Sequence, residues 1–267
     1  MEARAIPLPY TTVPTPDACR WHAANKVILQ QALSPRPPAL TNRLLKHIPD
    51  RDRASLLSEA EFIVLRPGQT LASPGEEVGT VYFPESGVMA WISEMTTGHQ
   101  VAVALVGAEG LVGISPLLSI PRHTQRVVAL LESAGYRIPL AVFRRTFDER
   151  VTFRSTVLGH IGRQLIEVAS LVACARVHSH RQRLARSILT MTDKAGELSL
   201  PITHDVLAQV VGGPRHAVTV ALNELRSKGA IAHLRGRVDI LNRQALVAHA
   251  CECYLHLRQL ITSTSAG

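Results

Sequence analysis

Arg215, His216, Thr219 and Asn223 follow Gly212-Gly213-Pro214 at helical spacing, and Arg235 and Arg237 bracket Gly236 further along the chain. These residue types can read and hold double-stranded DNA. A planar guanidinium such as that of Arg215 offers two parallel N–H donors to O6 and N7 of guanine, a pairing worth roughly 1–3 kcal/mol of base discrimination. His216, Thr219 and Asn223 would share its helix face. Thr203, whose hydroxyl sits at a helix start, and Arg235 and Arg237 suit phosphate oxygens, which supply affinity and salt dependence but little sequence information.

Such a face needs a particular scaffold, and the local sequence specifies one. Thr203 stands where an N-cap belongs, ahead of HDVLAQVV over 204–211. Gly212-Gly213 ends that helix, Pro214 suits the first turn of the next, over 215–229, and Gly229 is its stop. Val206, Leu207, Val210 and Val211 form the apolar side of the first helix, and Val218, Leu222 and Leu225 that of the second. Two strands are expected over 230–234 and 238–241, joined by Arg235-Gly236-Arg237. Two helices about a tight glycine turn, followed by a basic-tipped ribbon, describe a winged helix-turn-helix. An amphipathic helix is expected before it, over 176–192, broken by Gly196, with an extended piece over 198–201. Asn242 would cap one last helix in the segment 244–267, with Cys251, Cys253, Tyr254 and Leu257 on or near its faces.

The charge distribution agrees. The 267-residue chain has 29 Lys+Arg against 21 Asp+Glu, a net +8. Residues 1–150 carry 15 basic and 14 acidic side chains, whereas 176–243 carry 11 and 5. Six of the eight net charges therefore sit on the segment that would face a polyanion.

Upstream the pattern differs. Residues 1–39 hold seven of the sixteen prolines and read as a mostly irregular arm, with room for a short helix over 21–33. From Glu61 to Arg145, within a β-roll domain expected over 40–150, short runs rich in Val, Ile, Phe and Tyr alternate with glycines, the signature of an antiparallel barrel or jelly roll. Over 151–175 the apolar residues Leu158, Ile161, Leu165, Val168, Val172 and Ala175 recur in alternating steps of three and four. That stripe is a heptad seam. It could serve an intramolecular core or a dimer interface, and its position between a neutral β-domain and a basic domain favours a helix that pairs with its copy. The fold class expected is thus α+β: an N-terminal antiparallel β-roll, a long dimerisation helix and a C-terminal winged helix-turn-helix, with length enough for about two domains.

The chain resembles the Crp/Fnr family of bacterial transcription regulators over roughly 44–243. The resemblance rests on Pro67-Gly68-Gln69, Gly75, Val81-Tyr82-Phe83 followed by Gly87, the long helix, and THDVLAQVVGGPRHAVTVALNELRSKG at 203–229 with its arginine-bearing wing. It implies a cyclic-nucleotide-binding-type β-roll, a homodimer on a palindromic promoter site, and RNA polymerase as a further partner. Family members that bind cyclic AMP hold the ribose with a Gly-Glu pair and the phosphate with an Arg-Ser/Thr-Ala run. Here the resemblance sets Leu111-Val112 at the Gly-Glu step, makes Arg126 the counterpart of the phosphate arginine, and puts Val168 and Ala169 near the purine. Arg126 is followed by Val127 and Val128 rather than by a hydroxyl residue. Unpaired ribose and phosphate groups would each lose hydrogen bonds worth about 1–3 kcal/mol. Control by cyclic AMP is therefore not expected, and Arg126 stays as the candidate contact for another effector. In the recognition helix the family's frequent Arg-Glu pair is Arg215-His216, and a later arginine is Val220.

Other chemistries find little support in the sequence. An iron-sulfur cluster of the family's type would want closely spaced N-terminal cysteines, and Cys19 stands alone there. His99 and His123 read as surface histidines rather than haem ligands. Cys251-Glu252-Cys253, with His249 and His256 nearby, fits no common zinc spacing and reads as helix packing. No cofactor or metal is expected, and no nucleophile motif or phosphate-cradling Gly-Lys-Ser/Thr loop points to an enzyme. No stretch approaches ~20 consecutive apolar residues and no signal sequence is evident, so a cytoplasmic protein without a membrane partner is expected. Two other functions stay open: a regulator gated by some other small molecule, and a signalling or scaffold protein whose basic domain binds a protein.

Overall fold

The computed structural model describes residues 40–263, and the helix expected over 21–33 lies outside them. Two short helices, α1 (Arg43–His47) and α2 (Asp50–Ser58), lead into seven strands: β1 (Glu61–Leu65), β2 (Thr70–Ala72), β3 (Thr80–Pro84), β4 (Met89–Glu94), β5 (Gln100–Val106), β6 (Arg126–Ala129) and β7 (Ser133–Pro139). They form two antiparallel sheets, ordered β1-β7-β3 and β2-β6-β4-β5. This is the expected β-roll. Val81, Tyr82 and Phe83 on β3 are fully buried, which explains that uninterrupted apolar run.

Helix α3 (Leu140–Glu149) closes the roll and α4 (Val151–Val177) leaves it. Phe153 and Val157 anchor the start of α4 in a core with Phe83, Ile138 and Phe143. An 18-residue window of α4 has mean hydropathy 1.3, so the helix is long and apolar enough to cross a bilayer on composition alone although its apolar residues are interrupted by polar ones. Buried His160 and the ion pair made by Glu167 are instead features of a helix packed against protein.

The helix expected over 176–192 starts later. α4 runs to Val177, His178 is extended (φ −102°, ψ 146°), and Ser179 caps α5 (His180–Ala195). Ser179 Oγ accepts from the Gln182 backbone N–H while Gln182 reaches back to the cap, a capping box whose Ser-x-x-Gln signal stands in the sequence. Then follow β8 (Ser199–Leu200), α6 (His204–Val211), α7 (Arg215–Ser227), β9 (Ile231–Leu234) and β10 (Arg237–Ile240), the strands forming a small sheet ordered β8-β10-β9. The single final helix is in fact two, α8 (Arg243–His249), capped by Asn242, and α9 (Cys253–Ser263), because Ala250 turns to extended backbone between them.

The β-roll and the C-terminal domain share apolar packing. Ala90, Ile92 and Val128 of the β2-β6-β4-β5 sheet belong to one buried cluster with Leu184, Ile188, Leu207 and Leu222. Buried charge joins the same two parts: Lys194 on α5 approaches Glu109, in the loop after β5, at 2.5 Å, and Glu167 on α4 at 3.5 Å.

Candidate nucleic-acid interface and sensor cavity

The helix-turn-helix is built as its sequence requires. Thr203 Oγ1 accepts from the Val206 N–H, capping α6. Gly212 ends α6 at φ +67°, where a side chain would be strained, whereas a Cβ on Gly213 would meet only the exposed His180 ring, which can turn aside. Leu207, Val210 and Val211 of α6 and Val218, Ala221, Leu222 and Leu225 of α7 are buried. Burial of that stripe turns the opposite face of α7 outward: Arg215, His216, Val220, Asn223 and Arg226 are exposed, with Thr219 half-buried among them.

Several of these polar groups are tied to neighbours. Arg215 Nε lies 3.3 Å from Asp205 Oδ1, both side chains about two-thirds exposed. Thr219 Oγ1 donates to the Arg215 carbonyl (3.2 Å) and also meets His204 Nδ1 (3.1 Å), while Asn223 Oδ1 pairs with His233 Nε2 (3.2 Å). Arg237 is paired with Asp239 at 2.7 Å, and Arg235 is exposed at the wing tip. The Arg215–Asp205 pair is solvent-exposed on both sides and so weakly held, about 0–1 kcal/mol. Two features of this face were not expected from the sequence, Arg226 and the His204–His233 ring pair, whose centroids are 5.6 Å apart. Arg226 was discoverable, since it lies seven residues after Thr219 on the same helix face. His233 is held below the usual imidazole range by burial, Arg226 and His204.

The β-roll encloses a cavity of about 270 Å³ against α4. Trp91, Val127, Ile114, Leu118, Ile161 and Val168 give it an apolar wall, to which His123, Thr124, Gln125 and Ser115 add polar atoms. Burial lowers the His123 pKa against the opposing pull of Glu76, which favours a neutral ring there. Arg126 does not line this cavity. Val127 pairs with Trp91 and both face it; Arg126, one residue earlier, pairs with Ile92 and points to the other face, where Glu94 (3.1 Å) and Gln100 (3.1 Å) hold its guanidinium. His123, expected on the surface, is half-buried and takes the cavity position. Leu111 likewise belongs to the core with Leu44 and Phe143, and the turn facing the cavity is Val112-Gly113-Ile114, Gly113 having φ +95°. Val168 lines the cavity as expected, whereas Ala169 is exposed.

The seam on α4 is divided between two surroundings. Leu158, Leu165 and Val172 are 49%, 69% and 60% exposed, while Ile161 and Val168 are half-buried beside the cavity. Leu165 touches both, since it also borders the cavity mouth.

Comparison with known proteins decides the family. Residues 62–150 match the cyclic nucleotide-binding domain and residues 182–249 the Crp-like helix-turn-helix domain, together more than half of the chain. The chain belongs to the Crp/Fnr family of transcription regulators. This Crp/Fnr protein is 22% identical over 188 residues to the global nitrogen regulator of Synechococcus elongatus, covering 67% of this chain and 85% of the relative. It is 26% identical to the transcriptional regulator LdrP of Thermus thermophilus, covering 68% and 93%. Among solved structures, FixK2 of Bradyrhizobium japonicum superposes with a TM-score of 0.63 at 15% identity, covering 72% of this chain and 98% of that one. A CRP-family regulator of Thermus thermophilus gives 0.60 at 22%, covering 70% and 96%. The Crp/Fnr protein is a DNA-binding, non-enzymatic transcription regulator, and it binds DNA through the helix-turn-helix.

Proposed function

We propose that this regulator acts as a homodimer on a palindromic promoter site and is not controlled by cyclic AMP. The observation that carries the reading is the exposed face of α7, with Arg215, His216, Thr219, Asn223 and Arg226 beside the arginines of the wing. Arg215 reads a base, while Thr203, Arg235 and Arg237 hold phosphates. Dimerisation uses α4, whose exposed Leu158, Leu165 and Val172 would otherwise leave an apolar stripe in water. A parallel pair would set the two α7 helices about one turn of DNA, roughly 34 Å, apart. RNA polymerase is the further partner and the cytoplasm the site of action, both by analogy with the family.

Independence from cyclic AMP is supported by the cavity wall. A cyclic phosphate there would meet Ile114, Leu118 and Val127, with the His123 ring held toward its neutral form, while Arg126 is occupied by Glu94. The test is a gel-shift titration on genomic promoter fragments with and without cyclic AMP or cyclic GMP. Unchanged affinity is expected, and a gain of tenfold or more overturns cyclic-nucleotide independence. The cavity itself favours a second reading, an effector of largely apolar character gating the same protein. Promoter fragments bound no more tightly than random DNA at ~150 mM salt would defeat both readings and favour a protein-binding role for the basic domain.

A further inference from the structure

Four ligand-type side chains far apart in sequence converge where the end of α4 meets the α8–α9 junction. Cys174 and His178 come from the last turn of α4 and its cap, one helical turn apart, Cys251 from the link after α8, and Cys253 from the first position of α9. The three sulfurs and a histidine nitrogen all lie within 4.8 Å of one another. Cys174 Sγ is 3.5 Å from Cys251 Sγ, and Cys253 Sγ is 3.7 Å from His178 Nδ1. A tetrahedral zinc ion with Zn–S of about 2.3 Å and Zn–N of about 2.0 Å needs roughly 3.8 Å between two sulfurs and roughly 3.5 Å between sulfur and nitrogen, so each of these two edges is within about 0.3 Å of its required length.

We propose that this Cys3His cluster is a structural zinc site that clamps the end of the long helix to the C-terminal helices. Two features beyond the ligand count support it. His178 turns its other nitrogen, Nε2, to Glu252 Oε1 at 3.1 Å, which is the carboxylate partner that fixes the tautomer and orientation of a metal-bound histidine. Three thiolates around Zn2+ leave one net negative charge. Arg186, buried on α5 with its Nε lacking a hydrogen-bond partner among the described residues, places its positive charge in the field of Cys174 and Cys251.

The location gives the site a consequence. His178 is itself the extended residue between α4 and α5, so a bound ion fixes the backbone where the dimerisation helix hands over to the DNA-binding domain. Cys174 and Cys251 are buried, four-coordinate closure leaves no position for substrate, and the role is that of a clamp rather than of a catalyst.

The test loads the full-length, reduced protein in a Cys19→Ser background with Co2+ as a spectroscopic probe and with Zn2+. The expected result is one ion per chain, a thiolate-to-cobalt charge-transfer band with intense tetrahedral d–d bands, and a Tm raised by zinc. Cys253→Ser and His178→Gln, at the less buried ligands, should each weaken zinc at least tenfold while circular dichroism stays unchanged. Absence of the charge-transfer band at stoichiometric cobalt overturns the proposal. So does undiminished affinity in both variants, or mass spectrometry showing that the freshly isolated reduced protein returns to a Cys174–Cys251 disulfide and binds no metal.

Discussion

Lys194 Nζ on α5 lies 2.5 Å from Glu109 Oε1 on the β-roll, a largely buried ion pair joining the DNA-binding domain to the sensor domain. Glu109 also accepts from the Gly107 N–H, and Glu167 on α4 completes a triad. Burial pushes the Glu109 carboxyl up, but the charge and hydrogen bond of Lys194 outweigh it and hold the pKa below the usual range. Glu167, farther from the ammonium, is raised by burial. Lys194→Met should cost about 3–5 kcal/mol, because it strands two carboxylates in a poorly solvated site. Urea unfolding checks this, with Lys194→Met/Glu109→Gln/Glu167→Gln expected to recover most of the loss. A single-variant cost below about 1 kcal/mol would show that solvent already screens the triad.

Arg215→Ala should reduce discrimination between cognate and random duplexes by about 1–3 kcal/mol, leaving the melting temperature within error, since the side chain is 67% exposed. Fluorescence anisotropy with both duplexes measures the difference. Equal losses on the two would make Arg215 a phosphate contact and move base reading to His216 or Asn223.

The wing arginines should behave differently. Arg235→Ala and Arg237→Ala are each expected to weaken binding to all sequences alike and to lower the slope of log K against log salt by about 1. A salt titration of both variants would detect either outcome, and an unchanged slope would remove the wing from the interface.

Leu165→Glu places a charge on the exposed seam of α4, where Leu165 is 69% exposed in the single chain. Sedimentation should show a shift from dimer toward monomer with weakened binding to a palindrome. A variant that remains dimeric would place the interface elsewhere.

His160 makes stability depend on pH. Burial above all, with Arg163 and Lys194 adding to it against the pull of Glu109, lowers its pKa from 6.5 to about 4. The folded protein thus resists protonation that the unfolded chain accepts. Stability is complete above about pH 6.5 and is lost as the pH falls toward 4, by about 2 kcal/mol between pH 7.5 and 5. Denaturant unfolding at the two pH values, compared with His160→Gln, isolates this contribution. Parallel pH profiles for the two proteins would show that His160 is solvated.

By itself the sequence determined whatever depends on residues within about one helical turn of each other. Thr203 before an apolar octet, the Gly212-Gly213 break and the stripe Val218, Leu222 and Leu225 specify α6, the turn and α7, because capping, left-handed backbone and helical periodicity act over three or four residues. Ser179 and Gln182 carried an equally local signal for the start of α5. Tertiary structure alone decided which way Arg126 points, since a strand's two faces alternate residue by residue and only pairing with β4 sets which one meets the cavity. It alone joined Lys194 to Glu109 across 85 positions and Cys174 to Cys251 across 77. Neither pair is encoded in a local spacing: each exists because packing two domains on the same long helix brings distant side chains to one point.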